Sequence, residues 1–592
     1  MPSDFFYNIL MENRELAAMF EEMADILEIK GDNPFRIRSF RRVAEALYSL
    51  DFNVAAAVLN NPEKVRAVPG IGEGTIRKIS EVVTTGQCEE HQRLRAEIPA
   101  SALPLLNLQG LGPKRIGLIW SSLGVSSLEE LETAAREQRL RTVPGIGEKT
   151  EASILKGIED YRRTQGRLRL DQALTVTAPL LEHLREDPSI LRLDTAGSIR
   201  RRRDTIGDID ILVATSQPEQ AIQRFLSYPG VRSVLVGGGT KASVTLSKGV
   251  QADLRVLEEE SFGAALQYFT GSKDHNVAIR ERAKRSGLKV SEYGIFRVED
   301  DHKLGGENED EVYGLLGLQP IPPELRENRG EIEQAEAGTL PRLIEESDIR
   351  GDLHMHTTAS DGRDTAEAMA HAGIAKGYEY IAITDHSKAL SMIGGLDEEA
   401  VLRRCDEIDR LNATIGKIRI LKGMEVDLLG EGELDLSDEV LATLDVVIAS
   451  VHSHFSMPPD KMTDRICRAL RNPFVNILAH PTGRILLRRE PYAFDVKEVF
   501  RVAIENKVML ELNSYPDRLD LKDGHLRLAK EMGALISINT DSHAAGMLRF
   551  MTYGIYTARR GWIEREDVVN TYPLPLLQAV LKKQAYRSGG RL

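Results

Sequence analysis

From residue 349 onward, short apolar runs alternate with stretches in which apolar residues recur at helical spacing. Six such runs predict strands: 380–383, 418–421, 446–450, 477–479, 508–512 and 535–538. A repeated order of strand and helix predicts a parallel sheet or a barrel. Ligands of such folds bind beyond the carboxyl ends of the strands, so we expect functional side chains there.

A second pattern covers residues 171–260. Short runs rich in Val, Ile and Leu predict strands at 191–195, 209–214, 231–236, 243–247 and 253–257. Helical stretches at 178–184 and 219–226 separate some of them, which predicts a mixed sheet with helices on one face. Residues 261–318 indicate a smaller α+β piece. Pro320-Ile321-Pro322-Pro323 and the acid-rich stretch after it predict a linker over 319–348.

The first 160 residues repeat a short glycine pattern three times, an apolar residue between two glycines followed by a predicted helix. The pairs are Gly70 and Gly72, Gly110 and Gly112, and Gly145 and Gly147. Such a turn exposes helix N–H groups to a phosphate, whereas the structural alternative is a glycine cap between packed helices. Three copies favour phosphate contact. The pattern resembles the helix-hairpin-helix motif, which binds the DNA backbone without reading sequence.

Composition narrows the class of protein. The chain has 592 residues, 42% hydrophobic and 28% charged, which is ordinary for a folded multidomain protein. No apolar stretch reaches the roughly 18 residues of a membrane span, and the N-terminus lacks a signal-peptide pattern. Three distant cysteines exclude a disulfide framework, so we expect a protein of the cytoplasm that needs no membrane.

Net charge decides little about partners. The chain has 77 basic and 90 acidic residues, a balance of −13 that by itself argues against binding to nucleic acid. Arginine is clustered, however, at positions 36–42 and 200–203. Histidine is clustered too, since nine of 13 lie between His354 and His543, which without cysteine partners indicates a metal site of nitrogen and oxygen ligands.

Three aspartates mark the predicted mixed sheet. Asp208 and Asp210 are two residues apart at a strand start, so both carboxylates point to one face, and Asp253 opens another strand. Converging carboxylates suit two Mg²⁺ ions for phosphoryl transfer. Gly197 and Ser198 offer groups to a triphosphate, with Arg201 as a cation. If Asp208 and Asp210 occurred without these neighbouring motifs, they would be better interpreted as solvated residues at the edge of a strand.

These motifs, together with Tyr268-Phe269-Thr270-Gly271-Ser272, resemble the nucleotidyltransferase domain of family X DNA polymerases, the group of DNA polymerase beta. The resemblance covers about residues 1–326. It implies catalytic Asp208, Asp210 and Asp253 with Mg²⁺ or Mn²⁺. It also implies nucleotide contacts from Gly197, Ser198, Arg201, Gly207, Tyr268, Phe269, Gly271 and Asn276.

The first helical region resembles the same family's lyase domain, in which a lysine at the position of Lys78 forms a Schiff base. A Schiff base requires a neutral amine. Gly74 and Phe40 stand where that family usually has Lys and Tyr. Two interpretations of Lys78 stay open, a lyase nucleophile and a contact to the DNA backbone, and the second is favoured.

The histidine-rich region carries its motifs just after predicted strands. They include His354-Met355-His356, Ser360-Asp361-Gly362 and Asp541-Ser542-His543. A His-x-His at a strand end directs two imidazoles to one side. A single histidine after a strand is more often a loop residue, but seven motifs around one predicted barrel favour a metal cluster.

The pattern closely resembles the PHP (polymerase and histidinol phosphatase) domain over about residues 349–575. The resemblance implies up to three Zn²⁺ or Mn²⁺ ions, with Glu425 as a catalytic bridge. The implied ligands are His354, His356, Asp361, His386, Glu425, His452, His480, Asp541 and His543. His371, His454 and His525 have no counterpart, and Arg484 and Arg518 are either phosphate contacts or surface residues.

Together the resemblances imply six segments. They are 1–90, a helical lyase-like DNA-binding domain; 91–170, a fingers-like helical region; 171–260, a nucleotidyltransferase palm; 261–318, a thumb; 319–348, the linker; and 349–592, the PHP domain.

The implied function is gap filling in DNA repair with a 3′–5′ exonuclease or 3′-end phosphoesterase, acting as a monomer on gapped or primed DNA and deoxynucleoside triphosphates. An abasic endonuclease is a further implied activity. The alternatives are a gap-binding protein whose sole activity is the nuclease, and a PHP domain acting on small phosphate esters.

Overall fold

The computed structural model describes residues 13–50, 52–108, 111–164, 166–246 and 249–582. The chain forms two compact units, Met1–Gln165 and Gly166–Leu592. Among the described residues, no helix has both the length and the apolar character that crossing a membrane requires.

The first unit is entirely helical over its described residues. Its α-helices are Asn13–Lys30, Pro34–Ser49, Val54–Asn60, Pro62–Arg66, Glu73–Thr85, Glu89–Ala96, Pro113–Leu123, Leu128–Arg136 and Glu148–Thr164, with 3₁₀ turns at Ala100–Asn107 and Arg139–Thr142. They enclose one apolar core that contains Phe20, Leu47 and Ile79.

The repeated glycine turns join this core to helix starts. Gly70 and Gly145 have φ values of 91° and 83°, a backbone region that favours glycine. The apolar residue between the glycines, such as Ile71 or Ile146, is buried in the core. Gly72 and Gly112 are the N-cap residues of Glu73–Thr85 and Pro113–Leu123. Gly110 lies outside the described residues.

The second unit begins with a five-stranded mixed sheet. The strands of this region are β1 (Leu168–Arg169), β2 (Ile190–Thr195), β3 (Thr205–Ile206), β4 (Asp208–Thr215), β5 (Val231–Gly238), β6 (Lys241–Leu246) and β7 (Gln251–Leu257). Strands β1 and β3 form a separate two-stranded pair, and the other five form the mixed sheet. The order is β2-β4-β7-β6-β5, and only β4 and β7 are parallel neighbours. Helices Leu170–Arg185, Gly197–Arg200 and Pro218–Leu226 accompany the sheet.

A smaller α+β piece follows. Antiparallel strands β8 (Leu288–Ser291), β9 (Gly294–Arg297) and β10 (Lys303–Gly305) form a sheet in the order β10-β9-β8. Helices Phe262–Thr270, Lys273–Arg285 and Glu309–Leu315 flank it, with a 3₁₀ turn at Glu259–Ser261. Val312, Tyr313 and Ile279 lie in its apolar core.

The C-terminal part is a barrel of seven parallel strands in chain order. They are β11 (Gly351–Asp352), β12 (Tyr380–Ile383), β13 (Arg419–Asp427), β14 (Val446–Ser450), β15 (Ile477–Leu478), β16 (Met509–Asn513) and β17 (Ile536–Asn539). A parallel bridge between Met355 and Ser542 brings the segments after β11 and β17 together. The predicted strands and barrel are therefore confirmed.

Helices cover the barrel. They are Ala366–Ala375, Glu398–Ile415, Asp438–Leu441, Pro459–Leu470, Val496–Glu505, Asp523–Met532, Met551–Arg560 and Leu574–Leu581, with 3₁₀ turns at Lys388–Ile393, Ala545–Phe550, Arg565–Asp567 and Val569–Thr571. One prediction was too short: β13 continues from the predicted 418–421 to Asp427, so Glu425 lies within a strand instead of after it.

The segment 319–348 differs from the linker that its composition predicts. It contains a 3₁₀ turn at Pro323–Leu325, the helix Glu331–Ala337 and a 3₁₀ turn at Glu346–Asp348. Ile321, Leu325 and Ile332 are buried in an apolar core that also contains Trp562 of the barrel. The backbone N–H of Ile344 donates to the Ile563 carbonyl at 3.0 Å. The segment is therefore packed against the barrel.

Several of its acidic residues have ion-pair or hydrogen-bond partners in neighbouring elements, which explains the misleading composition. Glu324 lies 2.7 Å from Arg559, and Glu331 lies 2.7 Å from buried His275. Glu327 lies 3.0 Å from Arg560 and 3.2 Å from Arg201. These carboxylates hold neighbouring elements together, whereas a solvated linker would leave them free.

We predict that trypsin leaves the bond after Arg326 uncut in the native protein, because Arg326 is only 2% exposed. Mass spectrometry of a limited digest checks this, with urea-unfolded protein as the control that must be cut there. Early fragments ending at Arg326 would contradict the packed segment.

Candidate active sites

Three carboxylates lie on two neighbouring interior strands of the mixed sheet. Asp208 and Asp210 lie at the start of β4, and Asp253 lies in β7. Because β4 and β7 are parallel and Asp210 is paired in register with Asp253, their side chains share a face. The three residues are thus brought together as the sequence predicted.

Burial and repulsion both act on Asp210. Desolvation, with the charges of Asp208 and Asp253, raises the pKa of its carboxyl from 3.8 to about 6. A divalent cation would relieve this repulsion and would compete with the proton. The donor set, three carboxylates without nitrogen or sulfur, fits Mg²⁺ or Mn²⁺.

The turn before β4 is built around a glycine. Gly197 has φ of 60°, and a Cβ atom there would lie 2.1 Å from Oδ2 of Asp210. The Ser198 hydroxyl is buried and has no hydrogen-bond partner among the described residues. Gly207 directly precedes Asp208 and approaches Arg167, at 3.1 Å from the Cβ position to Nη1. The turn therefore approaches Asp210 as closely as glycine alone permits and carries an unpartnered hydroxyl next to Gly197.

Arg201 is not the free cation that the sequence suggests. Its Nε lies 3.2 Å from Glu327, and its Nη1 donates to the Thr270 carbonyl. Nη1 also lies 3.2 Å from the position that a Cβ of Gly271 would take. Arg201 thus supports the backbone of the 270–271 turn in this structure.

The aromatic pair lies on the helix that ends at this turn. The rings of Tyr268 and Phe269 are edge to face at 5.1 Å, and Arg255 stacks on Phe269 at 4.3 Å. Asn276 donates from Nδ2 to the Tyr268 carbonyl at 2.6 Å. These contacts fix the positions of the residues expected to contact a nucleotide.

We predict that Asp210→Asn stabilises the metal-free protein by roughly 2 kcal/mol at about pH 8, because an ionised Asp210 destabilises the folded state above its raised pKa. The gain should disappear as the pH falls below about 4, where both folded and unfolded carboxyls are protonated. Urea unfolding in chelator at the two pH values checks this. Equal stabilities at pH 8 would contradict carboxylate repulsion.

The barrel gathers the nine predicted ligands at the carboxyl ends of its strands. Three groups have ligand atoms within 4.8 Å of one another: His356, Asp361, His386 and His543; His354, His356 and Asp541; and His386, Glu425 and His452. His480 joins them through Nε2, which lies 3.0 Å from Glu425 Oε1. All nine are therefore contiguous in space.

Glu425 lies at the centre of this cluster. Its Oε2 is 2.8 Å from His386 and 3.5 Å from His354, while Oε1 faces His480 and lies 3.5 Å from His452. The side chain is 1% exposed. One carboxylate thus contacts imidazoles of two of the three groups, the position of a bridging ligand.

The donor chemistry fits metal ions. Burial, with His386 and His543 nearby, lowers the pKa of His356 to about 4, so this imidazole is neutral at physiological pH. The neutral form is the one that binds metal. Its Nδ1 is buried without a hydrogen-bond partner among the described residues and lies 3.8 Å from Asp361. An imidazole and carboxylate set suits Zn²⁺ or Mn²⁺.

Sequence reasoning missed the residues that orient these ligands. Glu511 is fully buried in β16, and its Oε1 lies 2.7 Å from His354 Nδ1. Asp427 lies 3.1 Å from His452 Nδ1, and Ser450 Oγ donates to Glu425 at 2.6 Å. The available signal was an acidic residue inside an apolar run, as in Met509-Leu510-Glu511-Leu512.

The structure distinguishes the remaining histidines and arginines that the sequence singled out. His371 and His454 are exposed, and His525 belongs to none of the three groups. Arg518 faces the cluster, with Nε 3.6 Å from Asp541. Arg484 is not a surface residue, since it is buried and bonded to Asp204 at 3.1 Å and to the Arg518 carbonyl.

We predict that Glu511→Gln weakens metal binding by the cluster about 10- to 100-fold, because the amide no longer fixes the tautomer and basicity of His354. Metal titration followed by calorimetry checks this, with Glu498→Gln on the exposed side of Val496–Glu505 as the matched control. Unchanged affinity would contradict an orienting role.

In the first unit, Lys78 borders an open pocket of about 630 Å³ beside the first glycine turn. Its Nζ lies 3.0 Å from Glu90, and Arg36 contacts the same carboxylate at 2.6 Å. Burial opposes ionisation of Glu90, but hydrogen bonds from Lys78 and Arg36 outweigh it and lower its pKa. Lys78 is thus held as an ion-pair partner.

Comparison with known proteins agrees with this geometry. Family models match at residues 11–88 (helix-hairpin-helix domain), 102–160 (SAM-like helix-hairpin-helix tandem), 265–327 (DNA polymerase beta thumb) and 352–515 (PHP domain). The chain is 40% identical over 575 residues to "DNA polymerase/3'-5' exonuclease PolX" of Bacillus subtilis (strain 168), covering 97% of this chain and 100% of that protein. The chain belongs to the family X DNA polymerases that carry a PHP domain. The family and fold class predicted from the sequence are confirmed for this polymerase.

Several relatives match a smaller part of this family X polymerase. A probable phosphatase of Thermoanaerobacter sp. (strain X514) is 30% identical over 250 residues, which is 40% of this chain and 97% of that protein. A solved structure, the ternary complex of Leishmania infantum polymerase beta, covers 38% of this chain at 20% identity with a TM-score of 0.26, from which we conclude nothing.

Proposed function

We propose that this family X polymerase fills short gaps in DNA during repair and that its barrel hydrolyses DNA at the 3′ end. The observation that carries the first activity is the convergence of Asp208, Asp210 and Asp253 on parallel strands beside the Gly197 turn. Two Mg²⁺ ions held there would supply the charge neutralisation that phosphoryl transfer requires.

We assign the remaining roles in nucleotide addition to individual residues of the palm. Gln251 donates to Asp253 Oδ1 at 2.9 Å, and Lys241 Nζ lies 3.7 Å from Oδ2 of the same carboxylate. We assign Asp253 to orienting the primer 3′-hydroxyl. The unpartnered Ser198 hydroxyl and the Gly197 and Gly207 backbone would bind the triphosphate. Arg201 would reach a triphosphate only by releasing Glu327, so in the state described here its role is to support the 270–271 turn.

Nucleotide selection is assigned to the adjoining helix. Tyr268 and Phe269 would contact the sugar and base of the deoxynucleoside triphosphate, and the bond from Asn276 to the Tyr268 carbonyl fixes this pair. Gly271 permits the turn that places them there, with a φ of 70°.

For the barrel we propose up to three Zn²⁺ or Mn²⁺ ions and a 3′–5′ exonuclease or 3′-phosphatase, with abasic-site cleavage as a further reaction. Such ions activate water and neutralise phosphate charge. The support is the cluster of nine ligands around Glu425, with Arg518 beside Asp541 as a cation for the phosphate.

We assign DNA backbone binding to the glycine turns at Gly70 and Gly72, Gly110 and Gly112, and Gly145 and Gly147. Lys78 belongs to this function in our proposal, because its amine is engaged by Glu90 at 3.0 Å, whereas a lyase nucleophile must be free to attack the sugar. The protein would act as a monomer on gapped or primed DNA.

Two alternatives have weaker support. A protein that only delivers the nuclease to gaps would not need three converging carboxylates. A small-ester phosphatase, the activity suggested by the names of relatives that match the barrel, would not need the two helix-hairpin-helix regions.

The test is a pair of variants on a gapped duplex. Asp208→Ala should abolish primer extension and leave 3′ hydrolysis intact, whereas Glu425→Ala should lose more than one metal ion per chain and 3′ hydrolysis but keep extension. Gel assays and metal analysis of both variants measure this. Extension by Asp208→Ala, or full metal content and hydrolysis in Glu425→Ala, would refute the respective assignment.

A further inference from the structure

A pocket of about 300 Å³ lies where the palm sheet, the 319–348 segment and the barrel meet within the second unit. Five basic side chains line it: Arg203, Arg329, Arg484, Lys522 and Arg560. Two carboxylates, Asp204 and Asp523, line it as well, which leaves an excess of three positive charges. Neither of the two proposed reactions uses this pocket.

The two carboxylates are fully engaged by the buried part of the pocket. Asp204 lies 3.1 Å from Arg484, and Asp523 lies 2.7 Å from Arg560 and 3.2 Å from Arg329. Burial raises the pKa of Asp523, but Arg560 and Arg329 outweigh it and lower it to about 2. Both acids are therefore ionised and held against guanidinium groups.

The basic groups nearest to solvent are less engaged. Among the described residues, no carboxylate lies within ion-pair distance of Lys522, which is exposed. Arg329 and Arg203 are 43% and 38% exposed, and the nearest carboxylate to Arg203, Glu327, is 3.6 Å away. Lys522 also caps Asp523–Met532, a ten-residue helix whose N-terminus carries partial positive charge. The mouth of the pocket thus presents to an anion Lys522, which has no carboxylate partner among the described residues, together with Arg203 and Arg329, whose carboxylate partners lie at 3.6 and 3.2 Å.

The walls of the pocket touch the surroundings of both centres. Arg560 donates to the Arg201 carbonyl at 2.7 Å, four residues after Gly197. On the other wall, Arg484 donates to the carbonyl of Arg518, whose side chain faces Asp541. A phosphate in the pocket would therefore lie between the polymerase turn and the rim of the metal cluster.

We propose that this pocket binds one phosphate group of the single DNA strand whose 3′ end the barrel hydrolyses. Guanidinium and ammonium groups converging on a cavity of this size match the charge and hydrogen-bonding capacity of a phosphate. The inference rests on the proposed 3′ hydrolysis. Free phosphate or a nucleoside monophosphate carries the same group, and the experiment distinguishes these sources from the strand.

The test compares Arg329→Ala/Lys522→Ala with Lys461→Ala/Lys497→Ala in the full-length, metal-loaded protein. The first pair removes the exposed cations and leaves Asp523 bonded to Arg560. The second pair removes two exposed lysines of the barrel helices Pro459–Leu470 and Val496–Glu505, which do not line the pocket. Arg329→Lys/Lys522→Arg retains both charges and should restore wild-type behaviour.

Three readouts are measured: the KM for hydrolysis of a single-stranded oligothymidylate, the KM for bis-p-nitrophenyl phosphate, and the thermal stabilisation by inorganic phosphate. The small diester has no second phosphate to place in the pocket. We expect the KM for the oligothymidylate, divided by the KM for the small diester, to rise about tenfold in Arg329→Ala/Lys522→Ala and in neither of the other two variants. The salt dependence of oligonucleotide binding should become shallower by about 0.7 in log–log slope, and stabilisation by phosphate should fall.

Each outcome has a distinct meaning. A smaller phosphate effect with an unchanged KM ratio would overturn the strand as the source and assign the pocket to free phosphate or a nucleotide. No change in any readout would overturn the pocket itself and leave its cations as ties between palm and barrel. Wild-type protein that hydrolyses neither substrate would refute the proposed 3′ hydrolysis, while the phosphate readout would still decide the pocket.

Discussion

Convergence of polar side chains at the ends of parallel strands is the constraint on which both centres depend. Parallel neighbours end at one edge, so polar side chains placed there converge whatever their charge. In the palm this brings Asp210 beside Asp253, and in the barrel it surrounds buried Glu425 with imidazoles. In the palm the like charges raise the pKa of Asp210, so that site calls for counter-charges, whereas in the barrel the imidazoles outweigh burial and lower the pKa of Glu425.

Buried ion pairs join the palm and the barrel within one compact unit. Glu327 lies between Arg201 and Arg560, and Arg560 continues to Asp523. Removing one partner of such a buried pair typically costs about 3–5 kcal/mol, since a charge is left unpaired. The network therefore makes the barrel part of the support of the nucleotide turn, through Arg201 and the Thr270 carbonyl.

The apolar cores reinforce this union. Trp562 of the barrel is buried with Ile332 and Leu343 of the segment that follows the thumb, and Tyr553 and Tyr556 pack against the palm core. The palm and the barrel are thus packed into one body. The pocket lined by Arg203 and Arg484 lies where they meet, so it depends on this packing.

Local patterns in the sequence by themselves predicted most of the strands and the three palm carboxylates, because strand periodicity and strand-end position are short-range properties. The nine barrel ligands were implied by the resemblance of the histidine motifs to the PHP domain. Tertiary structure alone decided the rest. Glu511 became an orienting residue only because β16 places it against His354, and Glu324, Glu327 and Glu331 became interior ion-pair partners although their composition indicates a solvated linker. The physical reason is the same in each case: the partner that neutralises or orients a charged side chain lies far away in the chain, so its presence is decided only when the elements pack.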